Sequence, residues 1–255
     1  MKVWSRFLCL SVGLSLICFP AAGETFDMPQ DPAAAQFVTS NVIATFYHEL
    51  GHAMIDQLQL AVLGREEDAA DTLSTLLIHE VWDEDAATAL VYDTANAYRL
   101  YAAEAEATGA ETPYWDEHSL DLQRYYNLVC LFYGASPEMR GDDASELELP
   151  PERAEKCEDE FQLATDSWGA MLQDLAPVTG SKGLRLVDVP SNDPLGAILA
   201  QEVAELNNRY ALPNWVDVKV ETCGEANAFY DPQAESITLC TEYAVDLVRL
   251  WESTN

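Results

Sequence analysis

The stretch Phe46-Tyr47-His48-Glu49-Leu50-Gly51-His52-Ala53-Met54-Ile55 constrains the rest of the chain. It carries the pattern H-E-x-x-H. On a helix, His48 and His52 share one face, one turn apart. Two imidazoles so placed can hold a zinc ion, and Glu49 can act as general base on a zinc-activated water. Val42, Ile43, Phe46, Leu50, Met54 and Ile55 add an apolar stripe, so the helix is expected to be buried. A buried His-Glu-His set needs partners, because unpaired polar groups are costly in an interior.

Partners follow in the next segment. Gly64-Arg65 closes a short loop, and Glu66-Glu67-Asp68-Ala69-Ala70-Asp71 opens a second apolar helix running to about Ile78. Acidic residues favour a helix N-terminus through the helix dipole, and capping alone would explain such a cluster. Catalytic zinc also takes three protein ligands and one water, with His-His-Glu a standard set. Glu67 and Asp71 stand four apart, so one can bind metal while the other accepts a hydrogen bond from a ligand histidine. Small Ala69 and Ala70 would let this helix pack close to the first. His79 follows an apolar run and reads as structural.

These two segments resemble the gluzincin-type zinc metallopeptidases, whose third ligand is the Glu of an E-x-x-A-D motif. Glu67-Asp68-Ala69-Ala70-Asp71 matches it. The resemblance implies Zn²⁺ held by His48, His52 and Glu67, with Asp71 orienting a ligand histidine. The chain is still more similar to a bacterial metallopeptidase family of unknown function. That likeness includes Trp115-Asp116-Glu117-His118-Ser119-Leu120, Tyr125-Tyr126-Asn127 and the stretch from Cys223-Gly224-Glu225-Ala226-Asn227 to Ala228-Phe229-Tyr230-Asp231-Pro232. A peptide or protein substrate is implied, hydrolysed with Glu49 as general base.

A further group usually stabilises the oxyanion. His118, Arg124, Tyr125, Tyr126 and Tyr230 are candidates. His118 ranks first as a catalytic residue, because it is one of four histidines and lies in the family-like stretch. Its plainer alternative is a hydrogen bond to backbone or to Asp121. Asn227, Phe229 and Tyr230 are candidate substrate-binding residues on a strand to which an extended peptide could add. The alternative there is a packed hairpin. Tyr114 and Trp115 are expected in the core. Besides the peptidase reading stand a metal-holding binding or regulatory protein without hydrolysis, and a structural zinc protein. The last has no need of Glu49.

Residues 1–23 read as a secretory signal peptide: Lys2 and Arg6, an apolar run from Phe7 to Phe19, and small Ala21-Ala22-Gly23. Its removal would leave residues 24–255 as one exported zincin-like domain, secreted or periplasmic, without a stable membrane anchor. The mature chain would carry 11 basic against 44 acidic residues, net −33. Such a charge argues against nucleic acid or anionic membranes as partners. Apolar residues near half of the chain argue against disorder. Four cysteines remain, and an even number in an exported chain points to two disulfides. Of three pairings, Cys130–Cys157 joins neighbouring helices and Cys223–Cys240 closes a hairpin.

Periodicity places helices at 33–58, 66–79, 84–108, 119–134 and 153–175, with an acidic loop at 136–150. The helical metal-site part thus spans 33–175. Strands at 184–189, 216–220, 226–230 and 236–240 and helices at 194–210 and 241–251 form an α/β hairpin part, 184–251. The fold class is α+β, mostly helical, with a small antiparallel sheet. In the zincins that this chain resembles, a helix and sheet precede the H-E-x-x-H helix. Here the helix–strand–hairpin unit follows it, as in a circular permutation that sets 241–251 near the start of the motif helix.

Overall fold

The computed structural model describes residues 26–253; the expected signal peptide and its cleavage site lie outside the described residues. Helix α1 (Pro32–Gln57) is the axis of the molecule. Asp31 caps it, accepting from the Ala33 N–H, and Pro32 stands where its missing N–H costs nothing. Phe37, Val38, Val42, Phe46, Tyr47, Leu50 and Met54 are all essentially inaccessible. Such burial around most of a helix requires neighbours on several sides. They are α2 (Glu66–Val81), α3 (Glu84–Thr108), α8 (Pro194–Arg209), α9 (Thr241–Glu252) and strands β3 (Ala228–Asp231) and β4 (Ser236–Cys240).

Helices α1 and α2 approach closely at small residues. A Cβ added to Gly51 would lie 2.9 Å from the Ala70 Cα. That contact sets the second helix beside His48 and His52. Helix α4 (Asp121–Ala135) packs on α2 and α3, and α6 (Pro151–Ala164) packs on α4, tied to it by the Cys130–Cys157 disulfide. The segment read as an acidic loop contains a short helix, α5 (Gly141–Glu146). It is anchored by Arg140, buried and bonded to both Glu84 oxygens and the Phe132 carbonyl. A π-helical turn (Thr165–Gly169) then leads into α7 (Ala170–Asp174).

The sheet is mixed rather than antiparallel. Its order is β1-β2-β4-β3, with β1 (Leu184–Leu186), β2 (Val216–Glu221) and β4 parallel and only β3 antiparallel. Helix α8 supplies the crossover between β1 and β2, the length of connection a parallel pair needs. Every residue of β4 is buried, and β3 forms an edge. Cys223–Cys240 links the segment after β2 to the end of β4. Both disulfides are those expected from the sequence. The fold class is α+β and mostly helical. Tyr114 and Trp115, expected in the core, are 77% and 75% exposed on the loop between α3 and α4.

Candidate metal centre

Helical periodicity brings His48 and His52 together, and the α1–α2 contact brings Glu67 to them. His48 Nε2 and His52 Nε2 are 3.2 Å apart. The Glu67 Oε2 lies 3.0 Å from the first and 3.3 Å from the second. Tetrahedral ligands about 2.0–2.1 Å from an ion are about 3.3–3.4 Å from one another. The three atoms therefore fit one face of such an ion's coordination sphere.

The tautomers agree. His48 Nδ1 lies 2.7 Å from Asp71 Oδ1, and His52 Nδ1 lies 2.9 Å from Glu66 Oε1. Ionised carboxylates only accept, so each Nδ1 carries a proton and donates it. Each neutral ring then turns its Nε2 lone pair toward the other and toward Glu67. Three lone-pair donors at this spacing call for a positive centre, whether metal or added protons. Burial opposes charging of His48, yet its bonds to Asp71 and Glu67 prevail and hold it up at about 9. Burial likewise opposes charging of His52, and Glu67 and Glu66 raise it. Glu67 is driven well below the usual carboxylate range: burial opposes this, and bonds from His118, His48 and His52 outweigh it.

Asp71 has a second partner. Arg124, from the first turn of α4, donates Nε and Nη2 to its two oxygens at 2.8 and 2.7 Å. Burial would raise the Asp71 carboxyl, but Arg124 and His48 hold it well below normal. The guanidinium also stacks on Tyr98, 4.6 Å from the ring centre. The chain Tyr98–Arg124–Asp71–His48 thus orients the ligand imidazole. Arg124 is occupied by this task rather than free to meet substrate. The only sequence signal was a lone basic residue in an apolar helix of an acid-rich chain.

Glu49 is buried beside the cluster, and burial raises its carboxyl. The Tyr230 backbone N–H faces it and offsets part of that rise. That N–H points away from β4, so the outer edge of the sheet faces Glu49. His48, Glu49, His52, Glu67 and His118 line a cavity of about 570 Å³, together with Asn227, Phe229 and Tyr230. The sequence-derived substrate residues therefore share a groove with the His-His-Glu set. The Tyr230 hydroxyl donates to Asp56 at 2.8 Å and is committed there. A second cavity of about 320 Å³ meets His48, Glu49, His118 and Asn227 from the side of α3 and α9, where Tyr98, Tyr101 and Tyr243 line it.

His118 reaches the cluster: its Nε2 is 2.9 Å from Glu67 Oε2, and Nδ1 is 3.4 Å from Asp116. Tyr125 does not, since its hydroxyl is spent on the Leu147 carbonyl. Tyr126 packs edge-on against Tyr125. His79 faces Arg140 and Phe161, away from the centre.

An α1–α2 pair carrying His-Glu-x-x-His and a third carboxylate, opening on a groove walled by a sheet edge, is an arrangement that can hold a metal ion. The comparison with known families agrees: the chain belongs to the family described as "Putative metallopeptidase", whose model matches residues 19–172 and 195–255. No curated protein and no solved structure matches the chain.

Proposed function

We propose that the protein is an exported zinc-dependent peptidase. The observation that carries this reading is the joint placement of three convergent donors, a buried carboxylate and an edge strand on one groove. His48, His52 and Glu67 would hold zinc, whose Lewis acidity polarises the scissile carbonyl and makes water nucleophilic near neutral pH. Glu49 takes the proton of the attacking water and delivers it to the leaving amine. Its raised pKa suits that exchange, and the Tyr230 N–H of the edge strand faces it. Asp71, held by Arg124, keeps His48 in the ligating tautomer. Asn227, Phe229 and Tyr230 contact an extended peptide or protein substrate along the groove. His118 acts on the same groove from beyond Glu67.

A purely structural or binding site gains nothing from burying Glu49. Burial holds its carboxyl up beside the donor set, the placement and protonation behaviour that a general base uses. The test is Glu49→Gln in the purified mature protein, with metal content and hydrolysis of a peptide mixture read together. Hydrolysis should vanish while the metal content stays that of the wild type. Undiminished hydrolysis in this variant would remove the general-base role, and a wild type that holds metal but cleaves no peptide would leave a binding protein.

A further inference from the structure

The His-His-Glu set does not exhaust the donors of this centre. His118 Nε2 approaches Glu67 Oε2 at 2.9 Å, the same oxygen that His48 and His52 face. The His118 ring centre is 6.1 Å from that of His48, against 4.9 Å between His48 and His52. His118 is not among the donors that lie within 4.8 Å of one another around His48 and His52. Glu117 stands next to it, and one donor atom each from Glu67, Glu117 and His118 lie within 4.8 Å of one another. We propose that these three residues hold a second divalent cation, with Glu67 shared between the two ions. This rests on the first ion occupying His48, His52 and Glu67.

The loop that delivers His118 is fixed rather than incidental. Asp116 accepts the His118 backbone N–H at 2.9 Å and faces its Nδ1, the part Asp71 plays for His48. Arg65 donates to the His118 carbonyl at 2.9 Å, and Ser119 donates to Asp68 at 2.6 Å. Both bonds tie the loop to the N-terminal end of α2, which carries Glu67. With Nδ1 turned to Asp116, the His118 Nε2 is the ring nitrogen offered to a cation.

Charge favours the same conclusion. Glu49, Glu66, Glu67, Asp116 and Glu117 gather around the groove, while Arg124 is paired to Asp71 and Arg65 serves carbonyl and hydroxyl oxygens. One dication leaves this set strongly negative. Two cations bridged by a carboxylate stand about 3.5–4 Å apart and can act on the same substrate. Two carboxylates and one imidazole suit zinc, manganese or cobalt, held more loosely than the first ion because Glu117 is exposed.

Equilibrium dialysis of the chelator-stripped mature protein against ZnCl₂, read by elemental mass spectrometry, counts the ions. Cobalt loading then reads their separation by electron paramagnetic resonance. Wild type should bind two ions per chain, and the two Co²⁺ should couple, so that signal per ion falls at the second equivalent. Glu117→Gln and His118→Gln should each saturate at one ion with an uncoupled signal. Saturation of wild type at one ion would overturn the second site alone; no bound ion would overturn the proposed function with it. Two ions retained in the double variant, or a second ion without coupling, would place it on the acidic surface and also refute the proposal.

Discussion

Arg124 offers the most direct test of how the centre is held. Its guanidinium makes two bonds to Asp71, and both side chains are about one fifth exposed. Replacing it with Leu leaves Asp71 with His48 as its only strong donor. Breaking a fully buried ion pair from one side costs about 3–5 kcal/mol; at this exposure the lower end, about 3 kcal/mol, is expected. Loss of a residue that orients a ligand histidine typically weakens metal binding about 10–100-fold. Chelator competition measures the second quantity and thermal unfolding of the metal-free protein the first. The route is isolated by Asp71→Asn. If Arg124 acts through Asp71, adding Arg124→Leu to that variant should weaken zinc binding by less than about threefold, because the interaction is already gone. Wild-type zinc affinity in Arg124→Leu, or full additivity of the two changes, would refute the chain Arg124–Asp71–His48.

Two further changes probe the scaffold. Gly51→Ala should destabilise by about 1–3 kcal/mol, although Ala is the better helix former, because the added methyl meets the Ala70 backbone. It should also lower zinc affinity by moving Glu67 away, and a melting temperature equal to or above wild type would refute the close-approach argument. Glu202 is buried against the Tyr47 hydroxyl at 2.6 Å, and burial raises its carboxyl above the usual value. The folded state therefore favours the protonated form, and stability is lost as pH rises from the unfolded carboxylate value through the raised folded one. Glu202→Gln should raise the melting temperature at pH 7–8 and lose that advantage by about pH 4; a gain independent of pH would exclude ionisation as its cause.

The parts of the fold that local chemistry encodes were legible. Helix α3 begins after the Asp83 cap and ends at Gly109, whose φ of 65° stops it, and both ends match the sequence reading. Strand β4 and both disulfides agree as well. Parallel pairing was not legible, because alternation along β2 carries no record of which distant strand lies beside it. Tyr114 and Trp115 were misjudged because apolar character alone does not say whether a loop folds inward. At the centre, spacing revealed His48 and His52, and Glu67 came through family resemblance. The Arg124–Asp71 pair spans 53 residues, and no local pattern announces it. Tyr98 and Tyr243, which line the second cavity, were also missed, being aromatic residues of otherwise ordinary helices.

The order of elements leads to a final prediction. Zincins are expected to place helix and sheet before the H-E-x-x-H helix, whereas here β1, α8, β2, β3, β4 and α9 follow it. In space the parts are nevertheless adjacent. Trp251 near the end of α9 packs at a tilt against Phe37 at the start of α1, with ring centres 5.2 Å apart, and Tyr243 bonds Thr45 at 2.8 Å. The sheet thus feeds into the motif helix through contact where a covalent link would serve equally. A variant cut between Thr179 and Gly180, in the exposed turn between the two parts, and joined from Asn255 to Met28 by ten Gly/Ser residues tests this. Such a linker reaches about 16–19 Å. Close termini make permutation tolerable, so the variant should fold with both disulfides and bind zinc with wild-type stoichiometry. A soluble but metal-free product would show that the native connection at 175–184, rather than packing, positions the edge strand against Glu49.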